Sequence, residues 1–335
     1  MGVYIIAEAG VNHNGDVKTA IRMIEKAKEC GCDCIKFQTF KTERLVTKKA
    51  KKADYQVENT QNKDSQFSML KALELTYDDF YLLKEHCDKV GIDFMSTPFD
   101  CESVDLLEQL NVAIYKMSSG DITNKQLLEY VADKQKPVIV STGMCTMDEV
   151  HEAVKWIEQR GNQQITLLHC TSNYPTSYNE VNMNAMSALH HEFPYRIGYS
   201  DHTKGIIIPV MAVAMGAMVI EKHFTLDKEM VGPDHKASLD VDELENMVAA
   251  IRNIEVAKGD GIKQPTISEL STRDVARKSI VLRHEMKSGE CLRLEDMDIK
   301  RPGTGIAPKY IGELNGKRLI RDMEAEEMLR FEDVE

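Results

Sequence analysis

Two histidines, His202 and His223, lie near the ends of successive segments that read as β-strands, Tyr-Ser-Asp-His-Thr (199–203) and Val-Ile-Glu-Lys-His-Phe (219–224). Side chains alternate along a strand, so His202 shares a face with Ser200 and His223 shares one with Glu221. If those faces meet, two imidazoles, a carboxylate and a hydroxyl converge on one point. Such a set suits an octahedral divalent ion with positions left for water and substrate. A lone histidine is more often a buried residue satisfied by a backbone carbonyl. Here each histidine has a polar neighbour on its own face, and other strands of the chain also end in polar residues.

Glu8 ends the first apolar run and is followed by Asn12-His13-Asn14-Gly15. Lys36 and Gln38 share a face of the second. Ser96-Thr97-Pro98-Phe99, Lys116-Met117-Ser118-Ser119-Gly120, Ser141-Thr142-Gly143 and His169-Cys170-Thr171-Ser172-Asn173-Tyr174 end the next four. A single Ser or Thr before a helix is an ordinary N-cap. Six polar ends in sequence, two with strand lysines, exceed what capping needs. A lysine buried in a barrel is costly unless an anion meets it. The residues therefore predict a metal-dependent site for a small phosphorylated acid. Glu8 and Glu221 remain for proton transfer or for gripping a hydroxylated partner.

The elements that must position these groups follow a regular rhythm. Strand candidates fall at 3–8, 34–38, 93–97, 114–118, 137–142, 165–170, 196–201 and 219–224, each followed by a helix-period segment. Val17, Ala20, Ile21, Ile24 and Ala27 mark the first helix behind Asp16, and Leu244, Met247, Val248, Ile251 and Ile254 mark the eighth. Eight strand–helix units in about 250 residues predict a (β/α)8 TIM barrel. The competing doubly wound sheet would bring a Gly-rich dinucleotide turn, which the chain lacks. The predicted domains are a barrel over 1–257, a linker over 258–276 and a C-terminal unit of short strands over 277–335. The polar segment 41–77, with Lys48, Lys49, Lys51 and Lys52, reads as a lid or substrate loop after the second strand.

Composition narrows the function classes. With 335 residues, 42% hydrophobic and 29% charged, the chain has ample material for one large core and a smaller domain. A net charge of −12 argues against nucleic-acid binding. Neither a membrane-spanning apolar run nor a signal-peptide pattern is present, so a cytoplasmic protein is expected. Of the eight cysteines only Cys30, Cys32 and Cys34 cluster, without zinc-ligand spacing; they read as small packing residues.

At these residues the sequence resembles the sialic acid synthase family. The resemblance rests on Ile-Ala-Glu-Ala-Gly-Val-Asn-His-Asn-Gly (6–15), Lys-Phe-Gln-Thr-Phe (36–40), Ser-Thr-Pro-Phe (96–99), Ser-Thr-Gly-Met (141–144) and Leu-His-Cys-Thr (168–171). It continues through Tyr-Pro-Thr (174–176), Ser-Asp-His-Thr (200–203), Glu-Lys-His-Phe-Thr (221–225), Gly-Pro-Asp-His (232–235) and Lys-Arg-Pro-Gly (300–303). The C-terminal unit is similar to type III antifreeze (SAF) domains.

The resemblance implies condensation of phosphoenolpyruvate with an N-acylmannosamine-type aldose, giving a nine-carbon 2-keto acid and phosphate. N-acetylmannosamine, giving N-acetylneuraminate, is the expected aldose. The 2,4-diacetamido-2,4,6-trideoxy-hexoses of legionaminic and pseudaminic acid are the alternative. By carry-over, His202 and His223 would bind Mn2+, or Mg2+ or Co2+. Lys36, Thr97, Lys116, Ser119, Ser141 and Ser200 would form the phosphoenolpyruvate pocket. Glu8, Gln38, Tyr174, Glu221 and Asp234 would contact the aldose, with Glu8 and Glu221 as acid and base. Arg301 would reach the sugar's N-acyl group across a domain-swapped homodimer. Either Ser172 or Asn173 would contact phosphate, and His235 reads as loop structure. A non-catalytic ice- or carbohydrate-binding protein is the alternative from another class.

Overall fold

Eight strands make the frame of the site: β1 (Tyr4–Gly10), β2 (Cys34–Thr39), β3 (Asp93–Pro98), β4 (Tyr115–Met117), β5 (Val138–Ser141), β6 (Ile165–Cys170), β7 (Arg196–Asp201) and β8 (Val219–His223). In the computed structural model, which describes residues 2–60 and 64–335, they form one parallel sheet in the order β3-β2-β1-β8-β7-β6-β5-β4. The two end strands of that order, β3 and β4, lie side by side, so the sheet curls into a (β/α)8 barrel. Helices pack around it through their apolar faces. The first, Val17–Glu29, starts where Asp16 accepts hydrogen bonds from the amides of Lys18 and Thr19. The eighth, Val241–Lys258, buries Leu244, Met247, Val248 and Ile251.

The interior of the barrel is built in layers by the period-2 alternation of its strands. Ile6, Cys34, Met95, Ile139, Leu168 and Val219 form one apolar layer. Two residues further along those strands stand Glu8, Lys36, Thr97, Ser141, Cys170 and Glu221, and β7 adds Ser200. On β7 the apolar layer holds Gly198, where a Cβ would collide with the Val219 carbonyl oxygen and the Leu168 side chain. The same strand geometry thus yields an apolar plug and, one step above it, a ring of polar groups at the C-terminal end.

Two compact units divide the chain, residues 1–259 and 260–335. The segment expected as a linker carries a helix, Ile267–Ala276, at whose start the Glu269 carboxylate accepts from the Thr266 amide at 2.8 Å and hydroxyl at 3.1 Å. In the second unit, β9 (Ser279–Leu282) pairs antiparallel with β10 (Met297–Lys300) over a core that includes Ile280, Leu292, Leu314 and Leu329. The expected lid segment 41–77 is not a loop throughout; it contains the helices Thr42–Leu45, Asp54–Thr60 and Gln66–Leu73. All eight cysteines are free, and Cys30, Cys32 and Cys34 are buried as packing residues. Among the described residues no helix is long and apolar enough to cross a membrane.

Candidate active site

The polar ring lines a cavity of about 490 Å³ at the C-terminal end of the barrel. Parallel pairing brings its members together: Glu8 lies opposite Lys36 on β2 and His223 on β8, and Ser200 lies opposite Glu221. Glu8, Lys36, Lys116 and Glu221 are each buried to at least 95%. Two ammonium groups therefore face two carboxylates in a space nearly free of bulk water.

The bonds among them are specific. Lys36 pairs with Glu8, lies 3.6 Å from Glu221 and donates to Thr97 Oγ1 at 3.2 Å. Lys116 Nζ donates to Ser141 Oγ at 2.7 Å and to the Met117 carbonyl at 3.0 Å, and stands 3.5 Å from Glu221 Oε1. Ser200 Oγ donates to Glu221 Oε1 at 2.9 Å. Glu221 Oε2 is buried without a hydrogen-bond partner, with the Lys36 ammonium 3.6 Å away. Unpaired buried acceptors are costly, and they are satisfied once a ligand donates to them.

This environment separates the two acids. Burial drives the Glu8 carboxyl up to about 7, against the pull of Lys36. Burial also acts on Glu221, but Lys116 and Lys36 overcome it and hold that carboxyl down to about 2. Lys116 is pulled below the ordinary lysine range by burial, whereas in Lys36 burial is outweighed by Glu221 and Glu8 and the net shift is upward. Two carboxyls of opposite bias in one pocket are a recognisable acid and base arrangement.

Beside the carboxylates the rings of His202 and His223 are 5.5 Å apart, and Tyr174 packs against both, at 4.1 Å and 5.6 Å. His202 Nδ1 bonds the Thr171 carbonyl at 2.7 Å. A carbonyl only accepts, so Nδ1 carries a proton and Nε2 is the nitrogen left for a metal; against burial, contact with Cys170 shifts this imidazole upward. His223 Nδ1 is buried without a partner, and burial holds that imidazole neutral. The outward nitrogen of His202 and the unpartnered Nδ1 of His223, beside the buried Glu221 carboxylate, fit a divalent ion. Among the described residues no third protein ligand joins them, so water and substrate would complete the shell.

Two serines of the cavity lining meet a backbone amide. Ser119 Oγ accepts from the Gly143 amide at 2.9 Å. A Cβ on Gly143 would overlap Ser172 Oγ and stand 2.8 Å from Ser119 Oγ, so only glycine lets the two hydroxyls and an amide converge there. Ser172 lines the cavity, while Asn173 is exposed. The polar segment 41–77 adds Tyr55, stacked on Tyr174 at 5.3 Å, and Gln56.

Of the residues singled out from sequence, Glu8, Lys36, Gln38, Thr97, Lys116, Ser119, Ser141, Tyr174, Ser200, His202, Glu221 and His223 line this one cavity. Asp234 is buried in an adjoining chamber, and burial raises its carboxyl to about 6. Arg301 belongs to the second unit, where it is exposed directly after β10. His235 is fully buried and structural, bonded to Thr225 Oγ1 at 2.7 Å and Asn14 Oδ1 at 3.1 Å. Sequence reasoning did not single out Tyr55, Gln56 or Cys170. It also missed the ion pair between Asp201 and Lys222, 2.5 Å apart with both side chains fully buried, which ties together the strand ends carrying His202 and His223. Tyr55 and Gln56 gave no signal beyond the odd polarity of their segment.

Comparison with known proteins agrees with this geometry. Residues 23–263 match the NeuB family and residues 277–335 match the SAF domain. The chain is 49% identical over 339 residues to N,N'-diacetyllegionaminic acid synthase of Legionella pneumophila, spanning all of this chain and 95% of that protein. It is 47% identical to the N,N'-diacetyllegionaminic acid synthase of Campylobacter jejuni, over 97% of this chain and 98% of that one. Among solved structures, the N-acetylneuraminic acid synthetase of Leptospira borgpetersenii superposes with a TM-score of 0.73 at 37% identity, covering 81% of this chain and 90% of that chain.

Proposed function

Because the chain belongs to the NeuB family of sialic-acid-type synthases, we propose that it condenses phosphoenolpyruvate with a 2,4-diacetamido-2,4,6-trideoxy-hexose. The products would be a diacetylated nine-carbon 2-keto acid of the legionaminic type and phosphate. This departs from the N-acetylmannosamine expected from sequence, because the relatives matching at 47% and 49% identity are named for the diacetylated product. The observation that carries the chemistry is the buried quartet of Lys36, Lys116, Glu8 and Glu221 beside two histidines.

In this reading Lys116, Ser141 and the Gly143 amide with Ser119 and Ser172 hold the anionic groups of phosphoenolpyruvate, and Lys36 bridges it to the carboxylates. Charge-assisted bonds of this kind are short and strong in a dry pocket. His202 and His223 would hold Mn2+, Mg2+ or Co2+, which supplies Lewis-acid polarisation of the aldehyde when bound. C3 of phosphoenolpyruvate attacks the aldehyde carbon, forming the new C–C bond. Glu8, biased toward its protonated form, delivers a proton to the aldehyde oxygen. Positive charge develops at C2, and ionised Glu221 stabilises it across the pocket. Water adds at C2, giving up a proton to Glu221, and the resulting tetrahedral carbon expels phosphate to leave the ketone.

Three aldoses assayed side by side test the sugar assignment. With phosphoenolpyruvate and Mn2+, the 2,4-diacetamido-trideoxy-mannose should give the highest kcat/KM, ahead of N-acetylmannosamine and of the pseudaminic precursor. A higher value for either competitor would replace the assignment while leaving the reaction class intact.

A further inference from the structure

A side chamber of about 130 Å³ opens from the active-site cavity behind Gln38, Tyr174 and His223, which line both spaces. One side is apolar, with Val11 just after β1 and Met69, Leu70 and Leu73 from the helix Gln66–Leu73, while Gln38, Tyr55, Gln56, Tyr174, His223 and Asp234 make most of its exposed surface polar. The four apolar side chains belong to one hydrophobic cluster with Phe40, so that side is packed rather than loose. Its one charged group is the Asp234 carboxylate, and among the described residues no lysine or arginine lines it. Asn59 Nδ2 donates to the Pro233 carbonyl at 2.7 Å, which joins the helix Asp54–Thr60 to the loop that carries Asp234. The chamber is therefore built from two of the three helices of the 41–77 segment, Asp54–Thr60 and Gln66–Leu73, the first bonded directly to the Asp234 loop.

Its chemistry selects its occupant. A carboxylate, amides and phenols facing one apolar side, with no lysine or arginine, suit a small group that carries an N–H donor, a carbonyl and a methyl, and disfavour a phosphate. We infer that the chamber receives the second acetamido group of the aldose, with Asp234 accepting its N–H and Met69, Leu70 and Leu73 covering its methyl. The inference rests on the proposed reaction and adds the structural element that chooses the sugar. His223, Gln38 and Tyr174 line both spaces, so the chamber opens directly beside the place where the histidines would hold the aldehyde end, within reach of the rest of the sugar. An aldose with a bare hydroxyl in place of the second acetamido group leaves the apolar side uncovered and forfeits the methyl burial. A methyl-sized difference in an apolar pocket is worth about 10- to 200-fold in kcat/KM.

Leu73→Gln and Met69→Gln test this, with Leu73→Met as the volume-conserving control. Each enzyme is assayed in full length with phosphoenolpyruvate, Mn2+, and either the 2,4-diacetamido-trideoxy-mannose or N-acetylmannosamine. Both glutamine variants should lower kcat/KM for the diacetamido sugar by about 10-fold or more, with the KM for phosphoenolpyruvate and the rate on N-acetylmannosamine within about 3-fold of wild type. Leu73→Met should keep the wild-type preference. If wild type prefers the diacetamido sugar and both glutamine variants retain that preference, the chamber assignment is overturned and the reaction stands. If wild type turns over neither sugar, the reaction itself is wrong. A uniform loss on both sugars in Leu73→Gln and Met69→Gln would assign these residues to folding and overturn the chamber.

Discussion

Replacing Lys222 with methionine removes the partner of a carboxylate that has no access to water. Lys222 Nζ donates to Asp201 Oδ2 at 2.5 Å and to the Thr203 carbonyl, and both charged side chains are fully buried. Asp201 would retain the Thr203 amide at 3.1 Å, the Thr203 hydroxyl at 3.0 Å and the Tyr199 hydroxyl, none of them a cation. Breaking a buried pair from one side costs about 3–5 kcal/mol, because an uncompensated charge is left in a low-dielectric interior. Asp201→Asn combined with Lys222→Met removes both charges and keeps the Thr203 contacts, so the double variant should recover at least half of that loss. Trp156, the single tryptophan, packs against the barrel core and reports its unfolding by fluorescence in urea. A loss under about 1 kcal/mol in Lys222→Met, or a double variant as unstable as the single one, would refute the claim that this pair fastens β7 to β8 beneath the histidines.

Other consequences are as direct. Lys116→Met keeps most of the volume but removes a charge 2.7 Å from Ser141, so the KM for phosphoenolpyruvate should rise by at least about 10-fold while that for the aldose changes little; equal effects would assign Lys116 elsewhere. Burial lifts Glu8 to about 7, so its protonated form is present below that pH and lost above it; kcat/KM should fall as pH rises through about 7, and a profile flat from 6 to about 9 would remove Glu8 as the acid. The domain-swapped dimer remains a proposal with a clean test: inactive Glu221→Gln and inactive Arg301→Ala proteins, mixed and allowed to exchange subunits, should regain activity, and verified heterodimers that stay inactive would count against the swap.

The parts of the site that sequence made legible are those written in period two along single strands. Glu8, Lys36, Thr97, Lys116, Ser141 and Glu221 each follow an apolar inward residue by two positions, and that pattern needs no tertiary information. The barrel was legible for the same reason, since eight strand–helix units repeat in order. What escaped lies between elements. Asp201 and Lys222 fall on the other phase of β7 and β8, so each reads as an ordinary outward charge until the two strands are paired. The chamber joins Val11, Leu73 and Asp234, which are far apart in sequence and linked only by the fold. The 41–77 segment was recognised as unusual, but its amides and lysines masked the short helices Asp54–Thr60 and Gln66–Leu73. The helix Ile267–Ala276 was taken for linker because its polar residues outweighed the Thr266–Glu269 capping signal.

The central claim is that one cavity joins phosphoenolpyruvate to an amino-sugar aldose. The most direct measurement follows both products at once, phosphate by colour and the keto acid by mass spectrometry, with chelated enzyme before and after Mn2+ is restored. The account predicts no turnover in chelator, then one phosphate for every molecule of a nine-carbon diacetamido keto acid, with neither formed when the aldose is left out. Phosphate released at the same rate without aldose, or equal turnover in excess chelator, would contradict it.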